Sequence, residues 1–147
     1  RVSYFDRNRH GNWYIGGCMS TINVNTLAPE SGNQTVIEAY GEEVNVICAT
    51  GGGTQDINLA SGNVVTATVN TSANTFTFSN PPASGKCGSF TLILTNGGSQ
   101  TVNWPGAVDF AGGTAPTLTT AGIDVLTFTT VDGGTIWYGF LAGADMK

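Results

Sequence analysis

Short runs of alternating apolar and polar residues, separated by turns rich in Gly, Asn and Pro, fill most of this chain. Period-two alternation of that kind marks strands with one face buried. "TINVN" puts Ile22 and Val24 on one side, and "TVIEAYG" and "EEVNVICAT" add Ile37, Val44 and Val46. "DINLA" aligns Ile57 with Leu59, "NVVTATVN" aligns Val65, Ala67 and Val69, and "NTFTFSN" aligns Phe76 with Phe78. "GSFTLILTN" gives Phe90, Leu92 and Leu94 on one side with Ile93 on the other, and "QTVNWP" gives Val102 and Trp104. Near the end, "IDVLTFTT" sets Ile123, Val125 and Thr127 against Leu126 and Phe128. "TIWYGFLAG" sets Ile136, Tyr138 and Phe140 against Trp137 and Leu141.

No stretch carries apolar residues at helical spacing, and turn signals ("SGN", "NPPASGKCG", "NGG", "DGG") punctuate the runs. Strands at this spacing predict an all-β fold: an antiparallel β-sandwich or jelly-roll-like module with an extended N-terminal arm. Three zones are expected: an aromatic and basic arm over 1–18, a strand-rich assembly segment over 19–53, and the sandwich domain over 54–147. Gly51 to Gly53 reads as the joint between the last two. The first residue is Arg, and "MSTINVNT" at Met19 reads as a plausible start.

Both faces of the last two strands carry large apolar groups, whereas a sheet with one solvated face shows cleaner alternation. Either the "WPGAVDFAGGTAPTLTTAG" segment folds over the second face, or a neighbouring subunit does. That segment is long for a compact domain. Its Trp104, Val108, Phe110 and Leu118 predict that it folds back as a packed element.

Composition sharpens this picture. Charged residues make up 10% of the 147, well below the roughly 25% of ordinary soluble domains. The net charge is -5, and the cations sit mostly in the first ten residues, where Arg7 and Arg9 flank Asn8. A negative chain with one basic end makes a poor nucleic-acid binder, because phosphate affinity needs clustered Lys and Arg. A solvated arm is the plain reading of that end; docking on an acidic neighbouring subunit is the sharper one. Tyr4, Phe5, Trp13 and Tyr14 favour docking, being too many large rings for a free tail. No apolar run approaches the ~20 residues of a membrane span, so no membrane insertion is expected. Cys18, Cys48 and Cys87 are odd in number without a C-x-x-C spacing. Buried free thiols are the default, and a Cys48–Cys87 bridge is an open alternative.

The chemistry-bearing residues are sparse. The one His, His10, lies in the arm, away from any nucleophile motif. Asp124 and Asp132 stand at opposite ends of one strand, roughly 25 Å apart by strand rise, too far for a catalytic carboxylate pair. Asp132 with loop carbonyls is the one place to consider Ca²⁺. A hairpin turn at Asp132-Gly133-Gly134 accounts for the same residues. The expectation is therefore a chain with no catalytic residues, no metal and no cofactor. Trp104, with Asp109 and Asp132, is the candidate set for stacking and hydrogen bonding to a glycan.

The string from "NTFTFSNPPASGKCG" to "DGGTIWYGFLAG" resembles a module of bacteriophage virion proteins, of the tail-fibre-like and head-decoration-like kinds found in marine phages. The matching motifs are Trp104-Pro105, "AGGTAPTLT" from Ala111, "DVLTF" from Asp124 and "DGGTIWYGF" from Asp132; "MSTINVNTLAPESG" is similar to the opening of phage fibre proteins. The likeness covers roughly residues 19–147. It implies a structural virion component, with a trimer the expected homo-oligomer and other capsid or tail proteins as partners; it carries over no catalytic residue. Assembly would then use Tyr4, Phe5, Arg7, Arg9, Trp13, Tyr14, Trp137, Tyr138 and Phe140. The alternative is a receptor-binding module for host-surface glycans.

Overall fold

The computed structural model describes residues 44–147, with backbone alone at 48–50, and the backbone of 5–7 and 13–15. Tyr4, Arg9, Cys18 and the expected strands around Ile22, Val24 and Ile37 lie outside the described residues. The chain divides into two compact units, Arg1–Tyr40 and Gly41–Lys147. In the first, strand β1 (Phe5–Arg7) pairs antiparallel with β2 (Trp13–Ile15), Phe5 opposite Ile15. The arm expected to be extended thus carries a paired strand on each side of its His10.

The second unit is all-β among the described residues. Its strands are β3 (Val44–Thr50), β4 (Gly53–Asn58), β5 (Val64–Val69), β6 (Asn74–Ser79), β7 (Gly88–Thr95), β8 (Val102–Asn103), β9 (Val108–Phe110), β10 (Ile123–Thr130) and β11 (Trp137–Met146). They form a six-stranded sheet of order β3-β5-β7-β10-β11-β9 and a three-stranded sheet of order β4-β6-β8. Since β3 is an edge of the larger sheet, Gly51–Gly53 is a turn within the unit. The domain joint expected there falls instead near residue 40. Gly52 and Gly53, both at positive φ, make that turn.

Pairing direction departs from the antiparallel expectation. The chain winds alternately through the two sheets, β3 to β4, β5 to β6, β7 to β8. Successive passes lie parallel: Val44 beside Val64, Val64 beside Thr91, Gly53 beside Asn74, Asn74 beside Val102. A parallel pair needs a crossover connection, and here a strand of the opposite sheet supplies it. Antiparallel pairing in this unit belongs to β10 with β7 and to the hairpin β10–β11. Alternation alone specifies which side chains face inward, and it is identical for either strand direction.

The inward faces meet in one core. Val65, Ala67, Val69, Phe90, Leu92, Leu94, Leu126, Phe128 and Trp137 from the large sheet pack with Ile57 and Phe76 from the small one. Phe78 of the small sheet sits edge-on to Phe90 (4.9 Å between centroids), Phe128 (5.2 Å) and Trp137 (5.3 Å) of the large one. Offset and edge-on ring contacts add stabilisation beyond the area they bury.

The segment 104–122 folds back as expected. It contributes β9, parallel to β11, and packs Trp104, Val108, Phe110 and Leu118 against the core. Its later half crosses Gly97 and Gly98, where the Gly98 amide donates to the Thr119 carbonyl at 2.9 Å. The Leu118 backbone lies where a side chain at Gly98 would stand, so the position admits only glycine. Gly139 plays a similar part on β11: a Cβ there would stand 2.7 Å from the Phe110 ring and 3.0 Å from that of Phe128. Gly139→Ala is expected to cost about 1–3 kcal/mol through overpacking. Urea denaturation checks it, and an unchanged midpoint would contradict this close packing.

Candidate interaction face

The two sheets present very different outer faces. On the three-stranded sheet, Asp56 accepts hydrogen bonds from the hydroxyls of Thr77 (2.8 Å) and Ser79 (2.6 Å). Asn80 donates to the Asn58 side chain at 2.9 Å, and Asn103 to the Thr75 hydroxyl at 3.3 Å. This is a wetted face whose polar groups satisfy one another across strands.

The outer face of the six-stranded sheet is built from β-branched and aromatic residues in rows set by the register. One row crosses five strands: Val44, Val64, Thr91, Thr127, Phe140. The next runs Val46, Thr66, Ile93, Val125, and a shorter one joins Ser89, Thr129, Tyr138 and Asp109. Among the described residues of these rows, Asp109 on edge strand β9 is the one charge. Tyr138 and Phe140 are 45% and 54% exposed, and Val44 and Val46 are also open to solvent. The folded-back segment packs at the core and the edge, and leaves these rings uncovered.

Phe140 stands between two hollows. One, of about 280 Å³, is lined by Asn63, Ser89, Thr91, Thr127 and Thr129. The other, of about 380 Å³, is lined by Phe110, Thr114, Pro116 and Leu141.

The remaining candidates from the sequence fall elsewhere. Trp137, expected at an interface, is 2% exposed and belongs to the core, because β11 turns it inward beside Phe90 (5.6 Å). Trp104 stacks on Phe76 at 5.4 Å with an interplanar angle of 20°, so one ring face is already taken. Phe5, Arg7, Trp13 and Tyr14 are placed by backbone alone, on β1 and β2. Cys87 is a free thiol and exposed rather than buried; the side chain of Cys48 lies outside the described residues.

Asp109, Asp124 and Asp132 lie apart in the architecture. Asp109 points outward from β9, Asp124 is buried at the start of β10, and Asp132 follows its end. Asp132 accepts the Thr130 hydroxyl at 2.9 Å and the Ile136 amide at 3.1 Å. Hydrogen bonds from the Ile136 amide and then the Thr130 hydroxyl hold its carboxyl below the usual range. Gly133 and Gly134 supply the positive φ of the turn, at 77° and 83°. The hairpin reading of "VDGGTI" therefore holds, with Asp132 acting through its side chain while the glycines bend the backbone.

Asp124 is a structural residue that its sequence context does not single out. Its Oδ2 accepts the Thr119 amide at 2.6 Å, and Oδ1 accepts the Thr119 hydroxyl at 2.7 Å and the Asp145 amide at 3.1 Å. Burial pushes its pKa up, but the Thr119 hydroxyl, the Thr119 amide and the Asp145 amide outweigh burial and hold the carboxyl below its ordinary 3.8. One carboxylate thus ties the folded-back segment and the end of β11 to β10. Among the described residues, no three His, Cys, Asp or Glu side chains gather as a metal-binding group. No helix among them is long and apolar enough to cross a membrane.

No protein-family model, curated protein or solved structure matches this chain.

Proposed function

We propose that this chain is a non-enzymatic structural component of a bacteriophage virion, a capsid-decoration or fibre subunit. In this reading a two-sheet, sandwich-like domain acts through symmetric self-assembly, with a trimer the expected state and other capsid or tail proteins as further neighbours. The contrast between the two outer faces carries the proposal. Surface aromatic residues scattered singly are ordinary, but a continuous apolar and hydroxyl-bearing face rimmed by polar residues marks a contact surface. The likeness of residues 19–147 to phage fibre and decoration modules supplies the virion setting. An antibody against the chain should label purified source-phage particles at symmetry-related positions. Particles that carry none of the chain would overturn the virion reading.

A second reading, a host-surface glycan-binding module, is favoured by Tyr138 and Phe140 beside the hydroxyls of Ser89, Thr127 and Thr129. Sugars stack on exposed rings and take hydrogen bonds at their rim. In this reading Tyr138 and Phe140 replace Trp104 as the stacking platform. Tyr138 lies beside Asp109 in the register.

A further inference from the structure

We infer that the outer face of the six-stranded sheet, centred on Phe140, is the surface on which a second copy of this chain docks; the inference rests on the assembly reading and names its contact. Three observations select another copy as the occupant.

The first is charge. Two copies of a chain with net charge -5 repel one another, and like charges brought together at a contact cost several kcal/mol. Across the rows described above, charge appears once among the described residues, as Asp109 on edge strand β9. Copies approaching through this face bring together threonines, valines and rings. Approach through the three-stranded sheet would bring Asp56 of each copy into the contact.

The second is shape. A two-fold contact uses one patch against itself, so the patch must carry both projection and recess; the contact on this face is such a pair, distinct from the head-to-tail contacts that would close a trimer. Phe140 is the projection, and the hollow of about 280 Å³ beside it, lined by Ser89, Thr91, Thr127 and Thr129, is the recess on this face. A ring inserted from a neighbour meets apolar and hydroxyl surface without stranding a charge.

The third is extent. Five strands at about 4.8 Å spacing and three side-chain rows at about 6.6 Å give a footprint of roughly 500 Å² per copy. Two copies therefore bury about 1,000 Å², the lower bound for a specific interface. An aromatic ring at the centre of such a patch is the residue type that dominates binding energy.

The test is light-scattering mass across a dilution series of the full chain, for the parent, Phe140→Asp and Thr127→Lys. Circular dichroism on each variant confirms the fold; both positions are on the outer face, so the core is untouched. The parent is expected to be a stable oligomer. Each variant is expected to dissociate at a protein concentration at least about 30-fold higher than the parent's, the effect of removing a hot-spot contact. A parent oligomer whose dissociation neither substitution moves would overturn the docking surface while leaving the assembly reading standing. A parent that stays monomeric throughout would overturn both. Such a monomer, if it bound an oligosaccharide panel through Phe140, would transfer this face to the glycan reading.

Discussion

Phe128→Ala is expected to remove about 3–5 kcal/mol of stability, the range for deleting a large buried aromatic side chain. Phe128 is 1% exposed and sits where the two sheets and the folded-back segment converge. Its ring stacks on Phe90 at 4.9 Å, meets Phe78 at 5.2 Å and Trp104 at 5.4 Å, and reaches Phe110 at 6.1 Å. Truncation opens a void bounded by four rings, each held by its own strand or loop, so collapse into the void is incomplete. The cost therefore combines lost transfer energy with a cavity term. Urea titration followed by tryptophan fluorescence measures it, since Trp104 and Trp137 both report on this cluster. A loss below about 1 kcal/mol would mean that the rings close over the gap and that the core is more plastic than its geometry implies.

Asp124→Ala is expected to cost about 2–4 kcal/mol, because it strands the Thr119 and Asp145 amides and the Thr119 hydroxyl in a partly buried setting. The same residue sets an acid limit. Its folded pKa lies below the ordinary 3.8, so the unfolded chain takes up the proton first as pH falls. The stabilisation is fully present above the ordinary value. It declines as pH drops past that value and is gone once pH falls through the folded pKa. Urea midpoints measured from pH 7 down to the acid range should fall more steeply for the parent than for Asp124→Asn, which keeps the shape without the titration. Parallel pH profiles for the two proteins would refute this role for Asp124. Amide exchange gives a second reading: the amides of Thr119 and Asp145 should lose protection in the alanine variant, even where global stability is compensated.

The acid dependence and the core truncation act on different parts of the same construction. Phe128 joins the two sheets, whereas Asp124 fastens the segment 113–122 and the C-terminal end of β11 to β10. The surroundings of Phe140 depend on both, because Phe140 and Leu141 lie on β11 and Thr114 and Pro116 lie on the fastened segment. Loss of Asp124 should therefore loosen one wall of the larger hollow before it unfolds the core.

Much of this was legible from side-chain alternation. Val65, Val69, Phe76, Phe90, Leu92 and Leu94 were assignable to inward faces from period two alone, and all are buried; for Leu126 and Phe128 alternation set a shared face but not that it is the inward one. The partition of Tyr138 and Phe140 from Trp137 follows from the same rule, as does the hairpin at Asp132-Gly133-Gly134, where turn chemistry is local. Strand direction was not legible. "GGG" at Gly51–Gly53 and "SGN" at Ser61–Asn63 are compatible with a hairpin or with a step to the opposite sheet. The choice rests on which partner strand offers the better buried surface, and that is a property of the whole core. Asp124 was hidden for a related reason: its donors come from Thr119 and Asp145, and Asp145 lies 21 residues away along the chain.

The sequence by itself determined that this chain builds strands, which residues share a face along each strand, and that its surface carries little charge. Those are consequences of periodicity and composition, which act over a few residues. The tertiary structure decided that three successive passes run parallel, that Trp137 closes the core, and that Phe140 stands uncovered between two hollows. Each of those depends on groups far apart in the chain meeting in space. Burial energy and close packing there choose among arrangements that the local pattern leaves equal.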